Sequence, residues 1–276
     1  MSGKLFVVGT PIGNLGDISK RAVETLNNVD FIAAEDTRVT RKLLSYLNIK
    51  KPMISYFEHN KYEKGQIICD KILSGENCAL VTDAGMPAIS DPGDILVRQC
   101  HELKIEVNVV PGPSALIAAL AMSGMPTGRF TFEGFLSTSK KSRLEHLNEL
   151  KHEKRTIIFY EAPHKLLRTL TDIHEYLGNR DIAIVREITK IHEEIKFFKV
   201  SDAIQNYKDG VKGEIVLIIK GYEPAKQEKY TLDDAVKIAI DLVNKGSSKS
   251  EASKEAAQIS GIKKSDIYRE VIKTTD

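Results

Sequence analysis

"CALVTDAGMPAISDPGDILVRQCHELK" spans Cys78 to Lys104. It opens on an apolar run, Cys78 to Val81, and passes through a loop holding Gly85, Pro87, Pro92 and Gly93. It leaves in an amphipathic stretch from Asp94. A short apolar run bounded by turn residues reads as a buried strand, and the helical pattern after it makes a β-α unit. Asp83 stands just past the strand, where open α/β sheets bind ligands. Asp91 precedes the helix and reads as its cap.

The alternation continues on both sides. "KLFVVG" (4–9), "FIAAED" (31–36), "MISYF" (53–57) and "EVNVVPG" (106–112) read as strands. Helical patterns fill 17–29, with Asp17 as N-cap, then 38–49, 60–76 and 114–124. Strands alternating with helices predict a parallel sheet. "SGMPTGRF" (123–130) reads as a hinge, and a second α/β segment follows, with strands in 129–136, 155–163, 181–189, 193–201 and 213–221. "YEPAKQEKY" (222–230) reads as a linker, and three short helices broken at Gly246 and Gly261 close the chain. The predicted organisation is an N-terminal α/β domain over 1–124, a second over 125–223, and a helix-turn-helix-like segment over 230–276.

Composition narrows the class. The net charge of +2 over 276 residues is too mild to announce nucleic-acid binding, so such a role must rest on local patches. Two exist: 38–51 carries Arg38, Arg41, Lys42, Lys50 and Lys51 with no acid, and 139–155 carries Lys140, Lys141, Arg143, Lys151, Lys154 and Arg155 against three acids. Their commoner meaning is a solvated face. Cys69, Cys78 and Cys100 are odd in number and lack C-x-x-C spacing, which predicts free thiols and no metal site. The apolar run Leu5 to Val8 is too short for a signal peptide, and no run reaches the ~20 residues of a membrane span, so a cytoplasmic protein is expected.

Four strand exits offer chemistry. "VVGTPIGNLGD" (7–17) is glycine-rich, yet its spacing fits neither G-x-x-x-x-G-K-[ST] nor G-x-G-x-x-G. The loop after Val81 offers Asp83. "VVPGPSAL" (109–116) offers Ser114, which can cap the next helix while its backbone faces a ligand. "FYEAPHK" (159–165) crowds an aromatic, an acid and His164, a residue more often packed or on the surface than catalytic.

The ordered set "VGTPIGNLGDIS", "AAEDTR", "TDAGMPAISDPG", "VVPGPSAL", "SGMPTGRFTFEGFL", "YEAPHKLL" and "REITKIHEE" resembles the tetrapyrrole-methylase superfamily, from Leu5 to about Gly221. The resemblance is to its ribosomal RNA branch. It implies two α/β domains with S-adenosylmethionine in the cleft between them, a homodimer, and 2′-O-methylation of a cytidine in 16S rRNA of the small ribosomal subunit. Carried over, Asp83, Ala84, Gly85 and Met86, Pro11, Ser114 with Ala115, and Tyr160, Glu161 and Ala162 would contact the cofactor. The chain departs from the family pattern at Ser137, usually Pro, at Lys165, usually Arg, and at Phe197–Phe198, usually Arg-Gly. For the chemistry, Glu187 and Lys190 are candidates to activate the ribose oxygen, with Arg186 on phosphate; a structural ion-pair network is the equal alternative. Two other functions stay open: a tetrapyrrole-precursor or protein methylase of the superfamily, and a non-catalytic nucleic-acid-binding protein.

Overall fold

The computed structural model describes residues 2–224 and 230–275. The predicted linker falls largely at 225–229, outside the described residues. The chain divides into two compact units, Met1–Tyr222 and Glu223–Asp276.

In the first unit, β1 (Lys4–Val8), β2 (Phe31–Ala34), β3 (Met53–Ser55), β4 (Cys78–Val81) and β5 (Glu106–Val110) form one sheet in the order β3-β2-β4-β1-β5. Every pairing is parallel. The helices between them, α1 (Lys20–Asn28), α2 (Thr37–Tyr46), α3 (Lys61–Leu73) and α4 (Gly93–Glu102), cover both faces. Alternate strand residues divide accordingly. Leu5, Val7, Cys78 and Leu80 pack with Ile68, Ile72 and Leu96, whereas Val8, Ala79 and Val81 pack with Ala22, Leu26 and Leu44. A sheet buried on both faces needs such unbroken apolar runs. The three cysteines are buried free thiols, with the Cys69 and Cys100 sulfurs 3.9 Å apart.

One start signal differs from the reading above. Ser19, not Asp17, caps α1, its hydroxyl accepting from the Ala22 amide at 3.1 Å. Asp17 instead ends a one-turn helix over Leu15–Asp17.

α5 (Ala115–Met122) leads to a second sheet of β6 (Phe130–Phe135), β7 (Thr156–Glu161), β8 (Asp181–Arg186), β9 (Glu194–Lys199) and β10 (Ile215–Ile219). Its order is β6-β7-β10-β8-β9. Only β6–β7 is parallel; the other pairs are antiparallel. One face packs on α6 (Lys140–Glu149), α7 (Leu166–Leu177) and α8 (Val200–Asn206). The other packs on Leu116, Ala119 and Leu120 of α5, with Ile12 and Ile188. Phe198, at a departure from the family pattern, packs against this sheet's core, while its neighbour Phe197 is exposed.

Arg143 corrects the reading of the second basic patch. It is 3 % exposed. Its Nε donates to Asp172 Oδ2 at 2.6 Å, and Nη1 donates to the Ser137 and Thr138 carbonyls. This cation ties α6 to α7 and is not offered to a phosphate.

The second unit holds α9 (Leu232–Asn244), α10 (Lys249–Ser260) and α11 (Lys264–Thr275). Thr231 with Asp234, and Ser248 with Glu251, form reciprocal capping boxes. Gly261 ends α10 in the left-handed region, as the predicted break requires. Ala235, Ala239, Ala252 and Ala256 pack with Ile267 and Val271 into a core of the unit's own.

Removing one member of a buried ion pair strands the other, at roughly 3–5 kcal/mol. Arg143→Ala is therefore expected to lose about that much stability in urea unfolding; a loss below about 1 kcal/mol would show that Asp172 relaxes to water.

Candidate functional site

The C-terminal ends of β1, β4 and β5 meet. Thr10 and Gly85 exchange backbone hydrogen bonds at 2.9 and 3.1 Å, and the Gly9 amide donates to the Val110 carbonyl at 3.0 Å. A Cβ on Gly9 would lie 2.7 Å from Gly112, so this crossing admits no side chain. Above it opens a cleft of about 420 Å³ between the two sheets.

The cleft gathers Asp83, Ala84, Gly85 and Met86, Ser114 and Ala115, and Tyr160, Glu161 and Ala162. Pro11 is not among them; it lines a neighbouring recess. Ser114 holds the N-cap position of α5 by backbone alone: its side chain makes no capping bond. Asp91 is not the N-cap expected of it: Pro92 holds that position of α4 without a side-chain bond, and Asp91 Oδ1 instead ties the loop before the helix by accepting from the Gly93 and Ala88 amides at 2.8 and 2.9 Å. Tyr160 joins the two halves, its hydroxyl accepting from the Leu116 amide at 3.2 Å. Its ring meets Phe132 and Phe135 at 4.9 and 5.5 Å. The buried Glu161 carboxylate accepts from Thr169 and from the Ala162 amide. His164 is exposed.

Glu35 was not foreseen. It directly follows β2, and the parallel register that sets Ala34 beside Val81 brings it beside Thr82, one residue before Asp83 at the exit of β4. Both acids therefore reach the same edge; an acid directly after the apolar run of β2 was the available signal. Thr82 donates its hydroxyl to Glu35 Oε2 at 2.5 Å, and the Asp36 amide donates to Asp83 Oδ1 at 3.0 Å. Burial and then the nearby Glu35 charge push the Asp83 carboxyl up from its ordinary value. Among the described lining residues are the acids Glu35, Asp83, Asp91, Glu161 and Glu214, and no lysine, arginine or histidine.

Arg186, Glu187 and Lys190 lie beside the cleft rather than in its lining. Lys190 Nζ contacts Glu187 at 2.9 Å and Glu214 at 3.0 Å, and Arg186 Nε contacts Glu194 at 2.7 Å. The lysine ammonium and the Glu214 amide hold the Glu187 carboxyl below the usual range. A Cβ on Gly13 would sit 2.6 Å from Lys190 Cγ, so the first glycine loop packs directly on this turn. Glu187 and Thr189 have φ of 53° and 65°, and Ala88 and Ser90 across the cleft have 69° and 65°. Left-handed backbone at such residues is costly and gathers at functional sites.

The model of the tetrapyrrole (corrin/porphyrin) methylases matches residues 4–204, and the chain belongs to that family. Within it, the chain is 46 % identical over 269 residues to a Synechocystis protein named ribosomal RNA small subunit methyltransferase I, covering 97 % of this chain and 96 % of that one. A Thermotoga maritima protein of the same name is 50 % identical over 222 residues, which is 80 % of this chain and all of that one. Among solved structures, the methyltransferase CobJ superposes with a TM-score of 0.61 at 17 % identity, over 80 % of this chain and 95 % of that one. Uroporphyrin-III C-methyltransferase from Thermus thermophilus complexed with S-adenosyl homocysteine gives 0.57 at 16 %, over 79 % and 97 %.

A raised carboxyl pKa favours the protonated acid in the folded state, so stability falls as pH rises through it. Asp83→Asn keeps an oxygen for the Asp36 amide and removes the charge. It is expected to melt higher than the parent at neutral pH, with the gap closing as the medium becomes acid enough to protonate carboxylates. A variant that melts lower at neutral pH would show that its hydrogen bonds outweigh its desolvation.

Proposed function

We propose that the chain is an S-adenosylmethionine-dependent methyltransferase acting on a cytidine ribose 2′-oxygen in 16S rRNA of the small ribosomal subunit. The observation that carries the methyl-donor reading is the cleft. Its acids suit a sulfonium and an ammonium, and the apolar Ile12, Ile188 and Val216 with Tyr160 suit an adenosine. The solved relative with S-adenosyl homocysteine supports the same cofactor. The names of the near-full-length relatives support the ribosomal substrate. We assign Asp83, Ala84, Gly85, Met86, Ser114, Ala115, Tyr160, Glu161 and Ala162 to the cofactor, with Pro11 supporting them from the adjacent recess.

The cofactor supplies an electrophilic methyl group. The protein's part is to orient, desolvate and manage a proton. Tyr160 and the Thr10–Gly85 bridge fix the two walls of the cleft. The acids would repel RNA phosphates, so the RNA backbone is met outside, at Arg38, Arg41 and Lys42 of α2. Arg41 and Lys42 are exposed and make no ion pair among the described residues. For Arg186, Glu187 and Lys190 we favour the ion-pair reading: their contacts already fix the turn after β8 against the Gly13 loop.

No helix among the described residues is long and apolar enough to cross a membrane. We place the protein in the cytoplasm, as a homodimer whose second copy covers Val109 and Ile117, 60 % and 52 % exposed on β5 and α5.

The deciding experiment is transfer of a labelled methyl group to small subunits lacking the modification, beside bare RNA and free tetrapyrroles. Label in the subunit RNA is expected; label in the tetrapyrrole alone would replace this reading with the small-molecule one. Calorimetry should give a micromolar-range cofactor Kd, on the order of −8 kcal/mol, weakened more by Asp83→Ala than by Asp91→Ala.

Lys190→Met separates the two roles of the turn. As an ion-pair member it should change kcat by less than about tenfold. A fall of about 10²–10⁴ marks an acid–base residue and would return Lys190 to the chemistry.

A further inference from the structure

A smaller recess of about 210 Å³ adjoins the cofactor cleft and shares Thr82 and Asp83 with it. Thr10 and Thr40 are buried in its wall, and Lys42 stands at its edge. Leu15 and Val39 also line it, 42 % and 39 % exposed. The fold leaves these two apolar side chains in water. They come from different elements, the one-turn helix after the glycine loop and the first turns of α2.

We propose that this recess seats the nucleoside to be methylated, its base between Leu15 and Val39, its ribose toward Asp83 and its phosphates on Lys42 and Arg41. The inference rests on the ribosomal RNA reading above.

Four observations lead there. In-line transfer needs the acceptor oxygen within about 3–3.5 Å of the methyl carbon, so the acceptor must occupy space continuous with the donor's. Thr82 and Asp83 line both spaces, so the recess adjoins the donor's cleft at these two residues. The recess has half the volume of the cleft, a space for one nucleoside rather than a second cofactor. The cleft's acids turn phosphates away, whereas the recess opens beside the cations of α2. Finally, enzymes that act on a displaced nucleotide hold its base between apolar side chains, which Leu15 and Val39 supply.

In the reaction the 2′-oxygen bonds to the methyl carbon while the carbon–sulfur bond breaks, its electron pair staying on sulfur as a neutral thioether. The 2′-proton passes to the Asp83 carboxylate and then to water. Asp83 suits this role because it stands in the wall common to both spaces, where burial and then the Glu35 charge raise its proton affinity, with Asp36 and Arg38 facing it from the start of α2.

The test uses the full chain and small subunits lacking the methyl group. Leu15→Ala and Val39→Ala alter exposed side chains. Each is expected to raise KM for the subunit about tenfold, and to weaken subunit binding by cofactor-free protein equally, with the cofactor Kd unchanged. Asp83→Asn should keep subunit affinity, lower kcat, and lose the limb of the pH profile along which the parent's kcat rises as a carboxyl ionises. If the parent methylates subunits but Leu15→Ala and Val39→Ala leave KM and subunit binding untouched, the recess is not the seat. If they weaken the cofactor instead, the recess belongs to the donor. If Asp83→Asn keeps the rising limb, the proton goes elsewhere. Subunits left unmethylated by the parent itself would remove the ribosomal reading before the recess is in question.

Discussion

The site depends on one close approach. Thr10 and Gly85 hold the exits of β1 and β4 together through a reciprocal pair of backbone hydrogen bonds, and Gly9 lies against Gly112 of the β5 exit with no room for a Cβ. Three loops are thereby joined before any side chain contributes. The cleft floor is main chain, and main chain cannot rotate away as side chains do. The acids Glu35 and Asp83 then stand on a rigid rim, where burial of the Asp83 charge costs stability. Functional sites commonly carry such a cost.

The second sheet works differently. It borrows part of its cover from α5, whose Leu116, Ala119 and Leu120 pack on Ile158, Val185 and Ile218. The Tyr160–Leu116 hydrogen bond lies at the start of that same helix. Packing and polar contact thus fix the spacing of the cleft walls together. Left-handed residues stand in turns on both sides of the cleft, Ala88 and Ser90 on one and Glu187 and Thr189 on the other. The ion pairs of Lys190 with Glu187 and Glu214 provide the local contacts that hold one of these turns.

Much of this was legible in the chain because apolar runs between turn residues have few other meanings. "CALV", "IAIV" and "IVLII" are strands in the structure, and Asp83 stands at the sheet edge where its place after Val81 put it. Capping was less legible. Asp17 and Ser19 are both good caps two residues apart, and only the backbone chooses between them. Arg143 looked like its basic neighbours because sequence shows charge but not which face of α6 meets Asp172. Strand direction in the second sheet, the cover given by α5, and the recess beside Pro11 arise from packing between distant segments. No local pattern encodes them. Glu35 is the exception, since an acid directly after the apolar run of β2 was present in the letters.

The helical tail carries its own beginnings: two capping boxes, a left-handed glycine stop, and an alanine-lined core closed by Ile267 and Val271. Its order is therefore specified within the unit itself. The Thermotoga maritima relative, matched along its whole length by 222 residues, has the length of the first unit alone. Within the tail, the start, the stop and the core of the fold are all written in its own residues, Thr231 to Val271.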